Sequence, residues 1–148
     1  MTIRHLALCL LATLFLAGCG PLVMIPGGEL SGEVKPPPSD WSFTDEIDNV
    51  QLETRPEDPY SVNVWAVAAN DAIYIASGDG ADAGWAKNIA EDSRVRLRVG
   101  DDIYEMKAEQ TTDEAELDAF LVSAQEKYDF EPDPEDREEA VLFRLTPR

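Results

Sequence analysis

The run Arg94-Val95-Arg96-Leu97-Arg98-Val99 alternates charged and apolar residues without a break. A period of two marks a strand with one buried face, because successive side chains leave a strand on opposite sides. Gly100-Asp101 supplies a turn, and the return segment sets Tyr104 opposite Leu97 and Met106 opposite Val95. On the other face Glu105 meets Arg96, a favourable cross-strand pair. A slip of one residue would put every apolar side chain of this hairpin in water. An antiparallel β framework is therefore the first expectation.

A second hairpin precedes it. Ser61 to Ala69 carries Val62, Val64, Trp65, Ala66 and Val67, and Asn70-Asp71 tolerates the positive φ of a tight turn. The return strand spans Ala72 to Ser77. A two-residue loop sets Ala68 opposite Ile73, Ala66 opposite Ile75 and Val64 opposite Ser77. The other face pairs Val67 with Tyr74 and Trp65 with Ala76. Both faces are apolar, so the hairpin is expected to be central and covered twice, with a helix or a partner subunit on the second face. Shorter strands are expected near 29–34, over Asn49 to Arg55, and over Ala140 to Leu145.

Two helices complete the pattern. Trp85 to Glu91 is long enough for two turns, with Ala86 and Ile89 inward. Thr111 and Glu114 form a capping box for the second. It carries Leu117, Phe120, Leu121 and Ala124 on one stripe, with Lys127 near its negative end. The stretch Asp129 to Glu139 holds seven acids, two prolines and one arginine. It lacks the glycine and spacing of a calcium-binding loop and reads as a solvated acidic loop.

The start of the chain is a processing segment. Leu6 to Leu16 is almost wholly apolar, yet too short to span a bilayer, which takes roughly 20 residues. Leu16-Ala17-Gly18-Cys19 resembles the bacterial lipobox. The resemblance implies cleavage before Cys19 and acylation of its thiol and new amino group. Two or three acyl chains hold a protein where one grips marginally. Gly20, rather than an aspartate, implies outer-membrane sorting, facing the periplasm, if the organism has two membranes. Residues 1–18 are thus expected to be a signal peptide. Residues 19–40, with Gly27-Gly28 and Pro36-Pro37-Pro38, form a tether. Residues 41–148 form one domain.

Composition narrows the chemistry. Cys9 and Cys19 are the two cysteines and His5 the one histidine, so the processed domain would hold neither a free thiol nor an imidazole. A histidine triad, a histidine metal site and a thiolate nucleophile are excluded on that reading. The chain has 30 acids against 12 Lys plus Arg, net −18. Such a charge repels a phosphate backbone, which excludes nucleic acid as a partner.

Ala72 to Arg148 resembles the split-barrel flavin- and deazaflavin-binding proteins, including pyridoxamine-phosphate-oxidase-like and deazaflavin-dependent nitroreductase-like members. The likeness rests on Ile73-Tyr74-Ile75-Ala76-Ser77-Gly78, Gly84-Trp85-Ala86-Lys87-Asn88-Ile89, Arg94 to Gly100, and Tyr104-Glu105-Met106-Lys107-Ala108. It implies a mainly β fold with two helices, a small antiparallel split barrel of about six strands. It also implies a homodimer and an FMN or deazaflavin F420 cofactor at the barrel edge. Carried onto this chain, Arg55 would meet the cofactor phosphate. Trp85 would lie against the flavin-like ring, with Lys87 or Asn88 on its polar groups and Ser77 donating to a ligand. Each has a plainer reading. Trp85 suits a core anchor, Asn88 a helix–loop hydrogen bond, and Arg55 an ion pair with neighbouring acids. Arg94, Arg96 and Arg98 are likewise expected to pair with acids.

Relatives hold the phosphate with a basic, glycine-rich stretch. Here Glu53-Thr54-Arg55-Pro56-Glu57-Asp58-Pro59 keeps Arg55 alone as a cation. The preferred expectation is a lipid-anchored binding or structural module of the cell envelope without redox activity. The alternative is a flavin- or deazaflavin-dependent oxidoreductase.

Overall fold

The apolar run expected as one strand over 61–69 is two strands that belong to different ladders. The computed structural model describes residues 27–129, 131 and 133–148. The leader and Cys19 lie outside the described residues. β1 is Glu33–Lys35, β2 Val50–Thr54, β3 Tyr60–Val64, β4 Ala66–Ala69 and β5 Ala72–Ser77. Helix α1 (Gly84–Glu91) leads to β6 (Arg94–Val99) and β7 (Asp102–Thr111). Helices α2 (Glu114–Tyr128) and α3 (Pro134–Glu139) precede β8 (Val141–Pro147). All eight strands form one sheet in the order β3-β2-β6-β7-β8-β5-β4, with β1 added in parallel to β7. The sheet curls into a split barrel.

β3 pairs with β2, Val64 opposite Val50, whereas β4 pairs with β5, Ala66 opposite Ile75. β2 and β5 sit far apart in the sheet order, so the chain changes ladders at Trp65. The expected pairs Val64–Ser77 and Trp65–Ala76 therefore do not form, while Ala68–Ile73 and Val67–Tyr74 do. The hairpin stands at one end of the sheet rather than at its centre. Both its faces are nonetheless covered. Ala66, Ile73 and Ile75 face the barrel interior with Leu52, Leu97 and Met106. Val67 and Tyr74 face α2, against Phe120 and Ala124. The local helix thus covers the face for which a partner subunit was the other candidate.

The β6–β7 hairpin has the expected register, with Arg96 opposite Glu105 and Leu97 opposite Tyr104. Its arginines pair with acids, as expected, but Arg96 chooses Glu53 on β2, 3.0 Å away, over Glu105. Glu53 is 4% exposed and also accepts the Leu30 N–H. A buried carboxylate persists only when paired and hydrogen-bonded in this way.

That contact pins the segment expected to be spacer. From Gly27 onward it is laid on the barrel: Gly27 and Ser61 exchange two backbone hydrogen bonds of 2.8 and 2.9 Å. Leu30 and Trp41 are buried. Gly32 is needed there, since a Cβ would lie 2.5 Å from the Asp101 carbonyl oxygen.

Two helix details differ from expectation. The N-cap of α2 is Asp113, which accepts from Glu116 N–H at 2.9 Å. Thr111 is still held in the β7 ladder opposite Leu142, so it cannot cap, and its hydroxyl donates to Glu116 instead. Part of the acidic loop is helix α3, opened by Pro134, whose fixed φ suits a first helical position. Arg137 ties it to Asp118 of α2 at 2.7 Å. Three α-helices and eight strands thus replace the expected two and about six.

At the far end of α2, Lys127 Nζ donates to the carbonyls of Ala66 (2.7 Å) and Thr44 (2.8 Å). The Tyr128 hydroxyl accepts from Ala66 N–H at 3.3 Å and lies 3.1 Å from the Asp48 carbonyl. Its ring stacks on Trp65 at 4.4 Å. Burial pushes the Tyr128 phenol up to about 12, so it stays protonated and can donate.

Glu116 provides a pH signature. The Thr111 hydroxyl, the Tyr74 hydroxyl and Arg144 together hold its carboxyl below the ordinary 4.5. A depressed folded-state pKa adds stability above the unfolded value and loses it as pH falls toward the folded one. Glu116→Gln should therefore cost stability near neutrality and progressively less below about pH 4.5. Urea unfolding across that range measures the convergence.

Candidate functional site

β5 outruns its partner. β4 begins at Ala66 opposite Ile75, so Ala76 and Ser77 pair with β8 alone. The chain on the other side has turned away at Trp65 to follow β2. A cleft of about 380 Å³ opens in the gap. Asn63, Val64 and Trp65 line one side, with Asn49 from just before β2. Ala76, Ser77, Gly78, Asp79 and Trp85 line the other. The volume is in the range of small-molecule sites.

The polar groups there are three neutral side chains, Asn49, Asn63 and Ser77, and one carboxylate, Asp79. Among the described residues, no lysine or arginine borders the cleft. Among the described residues, none of these four side chains makes a hydrogen bond or ion pair. Trp65 is half exposed, whereas Trp85 is 6% exposed and packs against Phe143 at 5.5 Å between ring centroids. Trp85 is thus mainly a core anchor whose edge reaches the cleft.

Of the five residues singled out from sequence, the structure brings Ser77 and Trp85 together. Lys87 borders a separate groove of about 180 Å³, lined by Ala86, Ile89 and Phe143. Its Nζ lies 3.2 Å from Asp82. Asn88 donates to Thr54 Oγ1 at 2.9 Å and ties α1 to β2. Arg55 sits in the turn after β2 at φ 57°, a left-handed conformation unusual for arginine. Its guanidinium pairs with Asp58 at 3.3 Å and lies 5.2 Å from the Tyr60 ring centroid. Asn49, Asn63, Trp65 and Asp79 were not singled out. Asn63 had a signal: it is the polar residue that interrupts the otherwise apolar run from Val62 to Ala69.

A third groove, of about 300 Å³, gathers Arg94, Arg96 and Arg148. Arg94 pairs with Asp92 at 2.6 Å, Arg96 with Glu53 at 3.0 Å and Arg148 with Glu105 at 2.6 Å. Its positive charge is spent within the protein. Among the described residues no group of three or more His, Cys, Asp or Glu side chains is arranged to hold a metal ion.

The fold is that of the split-barrel, flavin-binding-like proteins. Within that class, the chain belongs to the family described as uncharacterized proteins conserved in bacteria (DUF2255), whose profile matches residues 42–137. No curated protein matches it. Among solved structures it is similar to a conserved hypothetical protein from Mycobacterium tuberculosis, at 20% identity and TM-score 0.58, covering 77% of this chain and 86% of that one. It is similar to HutZ, the heme storage protein from Vibrio cholerae, at 18% identity and TM-score 0.59, covering 72% and 86%. A provisionally assigned pyridoxamine 5'-phosphate oxidase from Listeria innocua gives 12% identity and TM-score 0.57, covering 72% and 89%. At such identities the likeness is one of fold.

The packing separates the roles of two neighbours on α1. Trp85→Ala should cost about 3–5 kcal/mol by urea unfolding, as for other large core truncations. Lys87→Ala should stay within about 0.5 kcal/mol, since its ion pair is exposed.

Proposed function

We propose that this protein is a lipid-anchored split-barrel binding module of the cell envelope that takes a small ligand in the seam cleft and performs no flavin redox chemistry. The observation that carries the reading is the charge of the cleft: among the described residues, one carboxylate and no cation line it. A flavin nucleotide brings a phosphate, which needs fixed donors and positive potential. The two basic side chains singled out from sequence are not part of the cleft lining, Arg55 lying beside Asp58 and Lys87 beside Asp82. The residues present do not fit the phosphate of FMN or of a deazaflavin cofactor. A heme held by an axial histidine is no better served, because the chain's one histidine is His5 in the leader.

The anchor is Cys19. Among the described residues no helix is long and apolar enough to cross a membrane. The apolar run before Cys19 and the small residues at 17 and 18 support cleavage and acylation at that thiol. Acyl chains then supply the membrane attachment. In a double-membraned cell the domain would face the periplasm from the outer membrane.

Mass spectrometry of the native product, followed by titration with FMN and deazaflavin, tests both parts. The expected product begins at an acylated Cys19 and leaves both cofactor spectra unperturbed. An unmodified Cys19 or a retained leader would remove the anchor. Stoichiometric cofactor binding would overturn the non-redox reading in favour of the oxidoreductase alternative.

A further inference from the structure

We infer that the outer edge of β3 is a docking edge for the chain's own segment Leu22 to Ile25, which adds to it as an antiparallel strand along the seam cleft. The inference rests on the reading of the cleft as a ligand site and names what regulates it. The segment lies outside the described residues; the edge that receives it does not.

β3 ends the sheet order, and among the described residues its outer edge meets an isolated antiparallel bridge at Gly27. That bridge fixes direction and register. Gly27 and Ser61 exchange both backbone hydrogen bonds, the mark of a hydrogen-bonded antiparallel pair. The approach is close: a Cβ on Gly27 would lie 2.7 Å from Ser61 Oγ. Because the bridge is antiparallel, the residues before Gly27 run toward Asn63 and the cleft. The register sets Pro26 opposite Val62, Ile25 opposite Asn63 and Met24 opposite Val64.

The edge asks for such a strand. Backbone groups alternate in direction along a ladder. With Ser61 turned outward to Gly27, Val62 and Val64 turn inward to β2, opposite Leu52 and Val50. Asn63 is then the next residue whose amide and carbonyl face outward, and it lines the cleft. An open edge of this kind is a template for pairing.

The sequence before Gly27 suits the template. Pro26 falls at a non-bonding position, so its missing N–H costs the ladder nothing. Ile25 brings the donor and acceptor that face Asn63. Alternation sends Leu22 and Met24 to the face of Val62 and Val64, which are buried in the barrel core. Pro21 falls at a bonding position and ends the ladder. From Cys19 to Gly28 the sequence carries no charge, in a chain of net charge −18. An uncharged apolar strand thus meets a cleft whose charged lining, among the described residues, is Asp79 alone.

Docking also sets the distance to the membrane. Cys19 stands eight residues before Gly27, a reach of at most about 29 Å. With Leu22 on β3 the free span shrinks to three residues, about 10 Å. An acylated Cys19 then holds the cleft close to the bilayer. A ligand entering the cleft displaces the segment and lengthens the tether.

The test is NMR on the native product purified in detergent, reading amide exchange at Asn63 and methyl contacts of Met24. The Asn63 amide should be protected, and the Met24 methyl should show cross-relaxation to the Val64 methyls. Met24→Asp, which puts a charge on the inner face, should speed exchange at Asn63 by about tenfold or more while Ser61 stays protected. Ile25→Pro, which removes the segment's bonding N–H, should do the same. Val23→Asp, on the outer face, should have a several-fold smaller effect than Met24→Asp. These variants lie outside the barrel core, so its folding is not at stake. An Asn63 amide that exchanges freely in the wild type would overturn the docking. So would Met24 contacts to detergent chains in place of Val64, which would make the segment a membrane element, or equal effects of Val23→Asp and Met24→Asp. If the segment is undocked and FMN fails to bind, this inference alone falls. If the segment is docked and FMN binds, the docking stands and the non-redox module falls.

Discussion

The backbone of Ala66 is the point on which the rest of the molecule turns. It is the first residue of β4, just after the chain leaves the β2 ladder at Trp65, and its outer edge has no strand to pair with. Buried backbone groups left unpaired cost about as much as a lost hydrogen bond. Here Lys127 and Tyr128, the last two residues of α2, serve the Ala66 carbonyl, and the Tyr128 hydroxyl accepts its N–H. Lys127 also reaches the Thr44 carbonyl. One helix end thus fixes the corner, closes the edge of β4 and holds the turn before β2. The seam cleft exists because this corner keeps β3 away from the end of β5.

Charge follows a similar logic of local settlement. In a strongly acidic chain, the three arginines of β6 are a scarce cationic resource. They face acids on β2 and in nearby loops, and the Arg96–Glu53 pair also receives the strap at Leu30. A cation committed this way is not offered to a ligand. The described lining of the cleft is left with neutral groups and one carboxylate.

What the sequence revealed was what local periodicity encodes. The β6–β7 register could be read from Arg94 to Val99, because alternation around a short turn leaves one consistent pairing. The Asn70-Asp71 turn was legible for the same reason. The break at Trp65 was not. Nothing in Val64-Trp65-Ala66 differs from a continuous strand, and the change of partner is dictated by β2 and β5, remote in sequence. Lys127 was read as a complement to the helix dipole, but its reach to Thr44 and Ala66 depends on the fold. The cleft residues Asn49, Asn63 and Asp79 share no motif, since three separate segments bring them together. Ser77 and Trp85 were visible because each lies at the end or start of a recognisable element. Arg55, Lys87 and Asn88 are engaged in contacts away from the cleft.

Native-state amide exchange at Ala66, compared between the wild type and Tyr128→Phe, tests the corner most directly. The wild-type amide should be strongly protected. In the variant it should exchange much faster, with stability reduced by about 0.5–1.5 kcal/mol for the lost hydrogen bond. An Ala66 amide that exchanges freely in the wild type, or one equally protected without the hydroxyl, would show that the corner is held by something other than the end of α2.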